Sequence, residues 1–313
     1  MATLRLMQAR CAHKVMTLPE AVDRFVRSGI SIGLGGQNIG RVAVAAAHEI
    51  IRQGHGDLTL FGCNLSISMD LLVGAGLVRR CESGTGNLER FGTAFAWRRG
   101  IENGSLEVED YSHLAMVSRF LAGEMGLPFM PVKSLLGSDM LTHRSRSGPK
   151  KFEIVTNPWN PGEPVVLVPA VTPDVSIIHV QKADAMGNVI IEGFATHEPE
   201  MVRASHAVIV TCEELVDTDA IRLDPERTTI AYPHISAVVH QPWGAYPTST
   251  YRYYDFDSDE IRRYQAAARA GGDTYRRYLD RAVHAVETFD EYLDQVCPAA
   301  RRHDLQVAMR SMI

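Results

Sequence analysis

The stretch Ile30-Ser31-Ile32-Gly33-Leu34-Gly35-Gly36-Gln37-Asn38-Ile39-Gly40 changes character halfway along. It begins as a short apolar run of strand type, and residues 33–40 then hold four glycines. Residues 41–53 follow with helical spacing, placing Ala43, Ala47, Ile50 and Ile51 on one face, with Gly54 as the terminator. A strand, a glycine-rich turn and an amphipathic helix make one βα unit, and the pattern recurs downstream. Strands are expected at 58–61, 77–81 and 106–109, with helices near 69–73, over 88–102, and from Ser112 to a stop before Pro128. Alternation of this kind predicts an α/β fold with a largely parallel sheet covered by helices.

Residues 165–168, 175–180 and 207–211 are continuous β-branched runs, as expected of strands buried on both faces. They follow Asn157-Pro158-Trp159-Asn160-Pro161-Gly162-Glu163-Pro164, a loop because its three prolines remove donors and fix φ. That loop is a candidate division of a 1–257 domain into two lobes. Residues 258–313 are expected to add C-terminal helices packed on that domain, at 259–270 and 273–293, parted by Gly271-Gly272.

Composition narrows the function. With 313 residues, 45% of them hydrophobic, the chain has ample material for a core, and a formal charge of −5 argues against a nucleic-acid partner. Five scattered cysteines (Cys11, Cys63, Cys81, Cys212 and Cys297) without C-x-x-C spacing fit a reducing compartment and neither a disulfide framework nor a zinc site. No apolar stretch reaches the roughly 18 residues that span a bilayer. Residues 1–13 carry Arg5 and Arg10 and no continuous apolar segment, unlike a signal peptide. A soluble, cytoplasmic protein with no membrane partner is the expectation.

Several groups are candidates for chemistry. The glycine loop, Gly35, Gly36, Gln37, Asn38 and Gly40, is either a tight turn or a ligand loop whose backbone N–H groups approach an anion. It lacks G-x-G-x-x-G order, the acidic ribose ligand and the P-loop lysine, so a dinucleotide or P-loop site is not indicated. Ser83-Gly84-Thr85-Gly86-Asn87 follows a strand at the same sheet edge and is either a second ligand loop or an ordinary βα turn. Glu102-Asn103-Gly104 reads as a helix terminator. Glu213-Glu214 offers carboxylates for acid–base work or for a helix N-terminus. Cys212 has no activating cation in sequence and reads as a buried thiol. The 12 histidines form no i, i+4 pair and no H-E-x-x-H, so no metal site is expected. His113, just inside a helix start, is the histidine of most interest.

Longer segments make the chain resemble the A subunits of glutaconate-type family I CoA-transferases. They run from Val15-Met16-Thr17-Leu18 through Glu49-Ile50-Ile51-Arg52-Gln53-Gly54, Val108-Glu109-Asp110-Tyr111-Ser112 and Gly126-Leu127-Pro128-Phe129-Met130-Pro131-Val132. They continue in the same order through Asp174-Val175-Ser176-Ile177-Ile178-His179-Val180-Gln181, Val210-Thr211-Cys212-Glu213-Glu214 and Gly244-Ala245-Tyr246-Pro247. The resemblance implies a heteromer with a homologous B subunit that supplies a nucleophilic glutamate, an acyl-CoA and a carboxylic acid as substrates, and no tightly bound cofactor. It also implies that Gly35, Gly36, Gln37, Asn38, Gly40, Ser83, Gly84 and Asn87 lie at the acyl or CoA site. Gln37 stands where the family usually has phenylalanine, and Val42 replaces a proline. Relatives on this fold include ring-opening thioester hydrolases and a decarboxylase. In the hydrolases a glutamate lies near the start of the helix that follows Ser112, and here His113 takes that place. A remote alternative is a ligand-sensing regulatory domain on a sugar-phosphate isomerase-like fold, which would call for an attached DNA-binding segment.

Overall fold

The structure, a computed structural model, describes residues 14–142 and 150–311; Cys11 and the rest of 1–13 lie outside them. Helix α1 (Leu18–Phe25) begins with a capping box, in which Thr17 and Glu20 satisfy each other's backbone N–H groups. Strand β1 (Ser31–Leu34) then enters the sheet, and α2 (Val44–Gln53) ends on Gly54 at φ 73°, the left-handed conformation a glycine adopts without strain. Three βα steps follow: β2 (Leu58–Leu65), α3 (Ile67–Gly74), β3 (Val78–Gly86), α4 (Phe95–Glu102), β4 (Glu107–Asp110) and α5 (His113–Glu124).

Strands β5 (Phe129–Val132), β6 (Glu153–Thr156) and β7 (Pro164–Pro169) leave the main sheet and pair antiparallel in the order β5-β7-β6. The chain returns with β8 (Val175–Asp184) and β9 (Val189–Ile190), then α6 (Glu198–Ala204), β10 (Ala207–Val216), α7 (Thr218–Arg222) and β11 (Ala237–His240). The main sheet runs β11-β10-β8-β1-β2-β3-β4, parallel throughout, with β9 turned back antiparallel on β8. Alternation along its central strands divides the core in two. Val175, Ile177 and Ile209 face the layer of α1–α3, whereas Ile178, Val180, Val208 and Val210 face α5 and α6.

Five expectations need correction. The helix over 88–102 is a single 3-10 turn at Glu89–Phe91 followed by α4, because Gly92 at φ 85° breaks the helical path. The strand at 77–81 extends through Gly86, since Ser83, Thr85 and Gly86 continue the pairing with β2. Residues 165–168 belong to the small antiparallel sheet, where burial alternates and only Val166 and Val168 are buried. The proline-rich loop 157–164 closes the β6–β7 hairpin, with Asn157 N–H donating to Glu163 O at 2.9 Å. Finally, residues 273–293 are α9 (Gly272–Leu279), a π turn at Asp280–His284, and α10 (Phe289–Val296), beyond α8 (Ser258–Ala270) and before α11 (Ala299–Ser311).

Buried acid–tyrosine contacts tie these C-terminal helices down. Glu260 accepts from Tyr278 and Tyr292 hydroxyls at 3.2 and 3.1 Å. Asp70, fully buried on α3, accepts from Trp97 N–H and from Tyr264 hydroxyl, each at 2.7 Å, and so joins α3, α4 and α8. Burial pushes the Asp70 carboxyl up to about 6, against the opposing effect of those donors and of Arg99. The folded state therefore holds a proton there that the unfolded chain releases near pH 4, so its contribution to stability is lost as pH rises from about 4 to about 6. Urea unfolding of the wild type and Asp70→Asn should diverge across that window. The wild type should lose about 2–3 kcal/mol relative to the variant between pH 4 and pH 7; a difference that does not change with pH would contradict the assignment.

Candidate active site

The carboxyl ends of β1, β2, β3 and β8 meet at one edge of the sheet, and the glycine loop lies across it. Gly35 is packed so closely that a Cβ there would stand 2.7 Å from Glu198 Oε1. Gly36 adopts φ 86°, and a Cβ on it would fall 2.8 Å from Arg41 O and Val42 Cα. Only glycine fits either position. The loop then closes on itself, with Gln37 and Gly40 exchanging backbone hydrogen bonds at 2.8 Å and Arg41 N–H donating to Ser249 O at 2.7 Å.

Most of the loop's N–H groups face inward. Gly35 donates to Ile177 O and Gly36 donates to Glu198 Oε1, both at 2.9 Å. The expectation that Gly35 and Gly36 offer free backbone donors to a ligand is therefore corrected. Only Asn38 and Ile39 in the loop have backbone N–H groups without an acceptor among the described residues. What the glycines provide is a close approach to a buried acid.

That acid is Glu198, the first residue of α6, fully buried and paired with Arg41. Arg41 Nη2 lies 2.5 Å from Oε2 and Nη1 3.1 Å from Oε1, a fork geometry. The remaining Nη protons reach His179 O at 3.2 Å and Phe194 O at 2.8 Å. One carboxylate thus ties the glycine loop, β8 and the segment after β9 together. Arg41 itself sits at φ 53°, a left-handed conformation maintained against its own preference by these contacts.

His197 precedes Glu198 and faces the other way. Its ring stacks on Phe120 at 5.9 Å, and its Nε2 lies 3.5 Å from the Cys63 N–H on β2. Burial, opposed by Glu198, lowers His197 to about 4, so it is a neutral imidazole accepting through Nε2. Burial also pushes the Cys63 thiol up to about 12, and Cys212 likewise, so neither is a nucleophile at neutral pH.

His113 opens α5 above this edge. Ser112 Oγ caps the helix at Ala115 N–H, 3.1 Å away, leaving the exposed His113 ring lying over Gly84. A Cβ on Gly84 would overlap that ring and reach within 2.8 Å of Cys63 O. Of the second glycine segment, Gly84 is therefore the residue that shapes the site. Ser83 is a buried strand residue, and Asn87 accepts from Glu89 N–H at 2.7 Å to brace the 3-10 turn.

Glu213 and Glu214 lie within β10, which corrects the helix N-terminus reading. Glu213 is buried and accepts from His179 Nε2 at 2.7 Å, Tyr254 hydroxyl at 2.6 Å and Trp243 N–H at 2.8 Å. On the β8 side of the loop a cavity of about 380 Å³ opens between Gln37, Arg41, Glu192, Phe194, Ser249 and Tyr251. Glu192 there is held by Arg227 at 2.5 Å and Arg252 at 3.3 Å. Sequence reasoning missed Arg41, His197, Glu198, Phe194 and Tyr251. Their role comes from contacts between residues far apart in sequence, 162 positions for Gly36 and Glu198, for which no local signal exists.

Comparison with known proteins identifies the family. The Coenzyme A transferase family matches residues 15–241. The A subunit of glutaconate CoA-transferase from Acidaminococcus fermentans is 36% identical over 83% of this chain and 85% of its own length. The A subunit of 3-oxoadipate CoA-transferase from Pseudomonas knackmussii is 36% identical over 81% of this chain and 86% of its own. An uncharacterized protein of Archaeoglobus fulgidus is 39% identical over 82% of this chain, which spans only 57% of that relative. The crystal structure of the Acidaminococcus fermentans glutaconate CoA-transferase superposes with a TM-score of 0.89 at 33% identity, over 93% of this chain and 95% of that one. The chain belongs to the coenzyme A transferase family.

A double-mutant cycle tests the ion pair that shapes the site. Arg41→Met and Glu198→Leu should each destabilise the protein by about 3–5 kcal/mol, because each leaves an unpaired buried charge. The double variant should cost clearly less than the sum. Additive losses below about 1 kcal/mol in chemical denaturation would show that the pair does not position the loop.

Proposed function

We propose that this member of the coenzyme A transferase family is one half of a heteromeric enzyme, its A-type component, and that the enzyme moves CoA from an acyl-CoA, of dicarboxylic or related type, to a free carboxylic acid. The nucleophilic carboxylate comes from a homologous B-type partner. The observation behind this reading is the state of the acids around the glycine loop. Glu198, Glu192 and Glu213 are each held by guanidinium groups or by hydroxyl, imidazole and backbone donors. A carboxylate engaged in that way is a poor nucleophile, since attack would strip it of those partners.

In the proposed reaction the partner's carboxylate attacks the thioester carbonyl, CoA thiolate leaves, and an acyl–carboxylate anhydride forms. The thiolate then attacks the enzyme's half of the anhydride, releasing the first acid and leaving CoA as an enzyme thioester. The acceptor acid reverses the sequence. His113, exposed over Gly84, contributes an N–H to the substrate carbonyl or carboxylate at the junction of the two subunits. A thioester-hydrolase reading on this scaffold would want a carboxylate at the start of α5, and α5 (His113–Glu124) has none before its last residue.

The test is CoA exchange between acyl-CoA and free acids, by the chain alone and by the chain with its B-type partner. Exchange should require both, and His113→Ala in the complex should lower kcat/KM about 10- to 150-fold with little change in stability. Robust exchange by the chain alone would overturn the proposed division of labour. Unchanged kcat/KM in His113→Ala would remove His113 from the site.

A further inference from the structure

The 3-10 turn that leaves β3 meets the start of α8 around a cavity of about 570 Å³, lined by Arg90, Phe91, Phe256, Ser258, Arg262 and Gln265. Two of these residues are cations, and none is a carboxylate. The aromatic pair holds the cations in place. Phe91 and Phe256 pack edge to face with centroids 5.9 Å apart. Arg90 lies over the Phe256 ring at 5.5 Å and Arg262 over the Phe91 ring at 5.8 Å, so each guanidinium rests on the ring of the other segment. A contact of this kind leaves the N–H donors free for hydrogen bonds. The fold uses few of them. Arg90 makes no hydrogen bond or ion pair among the described residues. Arg262 reaches Asp259 at 3.8 Å between exposed side chains, and Asp259 lies closer to Arg301, at 3.3 Å. The Ser258 hydroxyl also makes no hydrogen bond among the described residues.

Two guanidinium groups on one cavity repel each other, and an anion between them removes that repulsion. The donor set selects the anion. A carboxylate has two oxygens, which a single guanidinium fork occupies, whereas a phosphate group accepts from two forks and a hydroxyl at once. The position of the cations gives such an anion a structural effect. Arg90 belongs to the turn and Arg262 to α8, and these two segments are already joined by Gln265, whose Nε2 donates to Phe91 O at 2.5 Å and Thr93 O at 3.2 Å. The base of the turn is the Asn87–Thr93 bridge, directly after the Ser83–Asn87 segment whose Gly84 lies under His113. An anion held by both arginines adds a second link between turn and helix.

We propose that this cavity is a phosphate-binding site. A phosphate group, free or carried by a small molecule, bridges Arg90 and Arg262, takes a third donor from Ser258, and clamps the turn after β3 onto α8. The cavity shares no residue with the one beside the glycine loop, and the proposal does not rest on the transferase reading.

The test is titration of inorganic phosphate into the full chain at constant ionic strength, with chloride as the balancing anion. Arg90→Met and Arg262→Met retain the length of the side chain and remove its charge. Both sites are exposed, so without phosphate each variant should melt within about 2 °C of the wild type. The wild type should bind phosphate at least about tenfold more tightly than either variant; equal affinities, or no binding by the wild type, would overturn the proposal. Phenyl phosphate in a parallel titration separates the two sources. Binding about tenfold tighter than inorganic phosphate assigns the site to an organic phosphate lying on the phenyl rings, and equal binding assigns it to the free ion. Phosphate binding should persist in saturating CoA, and its loss there would overturn the proposal by assigning the arginines to the substrate. Amide hydrogen exchange reads the clamp itself. The N–H groups of Leu88, Phe91 and Gly92, which close the turn, should exchange several-fold more slowly with phosphate in the wild type and at an unchanged rate in Arg90→Met. Exchange that phosphate does not slow in the wild type would overturn the clamp.

Discussion

A guanidinium and a carboxylate taken out of water are costly unless each has the other, and the candidate site is built around one such pair. Glu198 is fully buried, and Arg41 is nearly so. Around them the glycine loop is packed without room for a Cβ at Gly35 or Gly36. The pair joins three segments that are distant in sequence: the loop after β1, the β8 carbonyl at His179, and the start of α6. Removing the acid would release the loop and leave the charge of Arg41 unpaired. Both consequences follow from the same geometry, which is why the pair affects stability and the shape of the site together.

Two layers of contact hold that geometry. Behind Arg41, His179 is fixed by Glu213 and by Thr211, whose Oγ1 lies 2.8 Å from Nδ1. Tyr254, whose hydroxyl is kept protonated by burial and by Glu213, closes this network. On the opposite side, neutral His197 seats against Phe120 and the Cys63 N–H, fixing α6 to β2. Accessible side chains at this edge include His113 over Gly84 and the aromatic faces of Phe194 and Tyr251.

The parallel sheet was legible from the sequence because each strand buried on both faces is an unbroken apolar run, and each helix shows its face. The errors fall where that signal is weak. Residues 165–168 look like the buried strands but lie in a hairpin, since a short β-branched run has the same composition in either setting. The helix over 88–102 is broken at Gly92, where φ 85° and local hydrogen bonds with Leu88 and Glu89 close a single turn. At the site, the glycine loop was visible as an unusual cluster, but nothing in the sequence showed that the Gly35 and Gly36 N–H groups turn inward, Gly36 onto the buried Glu198. The ion pair itself was invisible, because Arg41 and Glu198 are ordinary residues until the fold brings them together. His113 was noticed for its helix start, and the structure does bring it to Gly84, one of the second-segment residues named from sequence.

The central claim is that this chain shapes and orients while the covalent chemistry takes place on a partner. Borohydride reduction of the working complex, stopped during turnover of an acyl-CoA, would test it most directly. An enzyme–CoA thioester reduces to an alcohol at the modified carboxyl, which peptide mass spectrometry locates. The account predicts the modified acidic residue on the B-type partner and an unmodified set of Glu192, Glu198 and Glu213 in this chain. A reduced carboxyl on any glutamate or aspartate of this chain would contradict it.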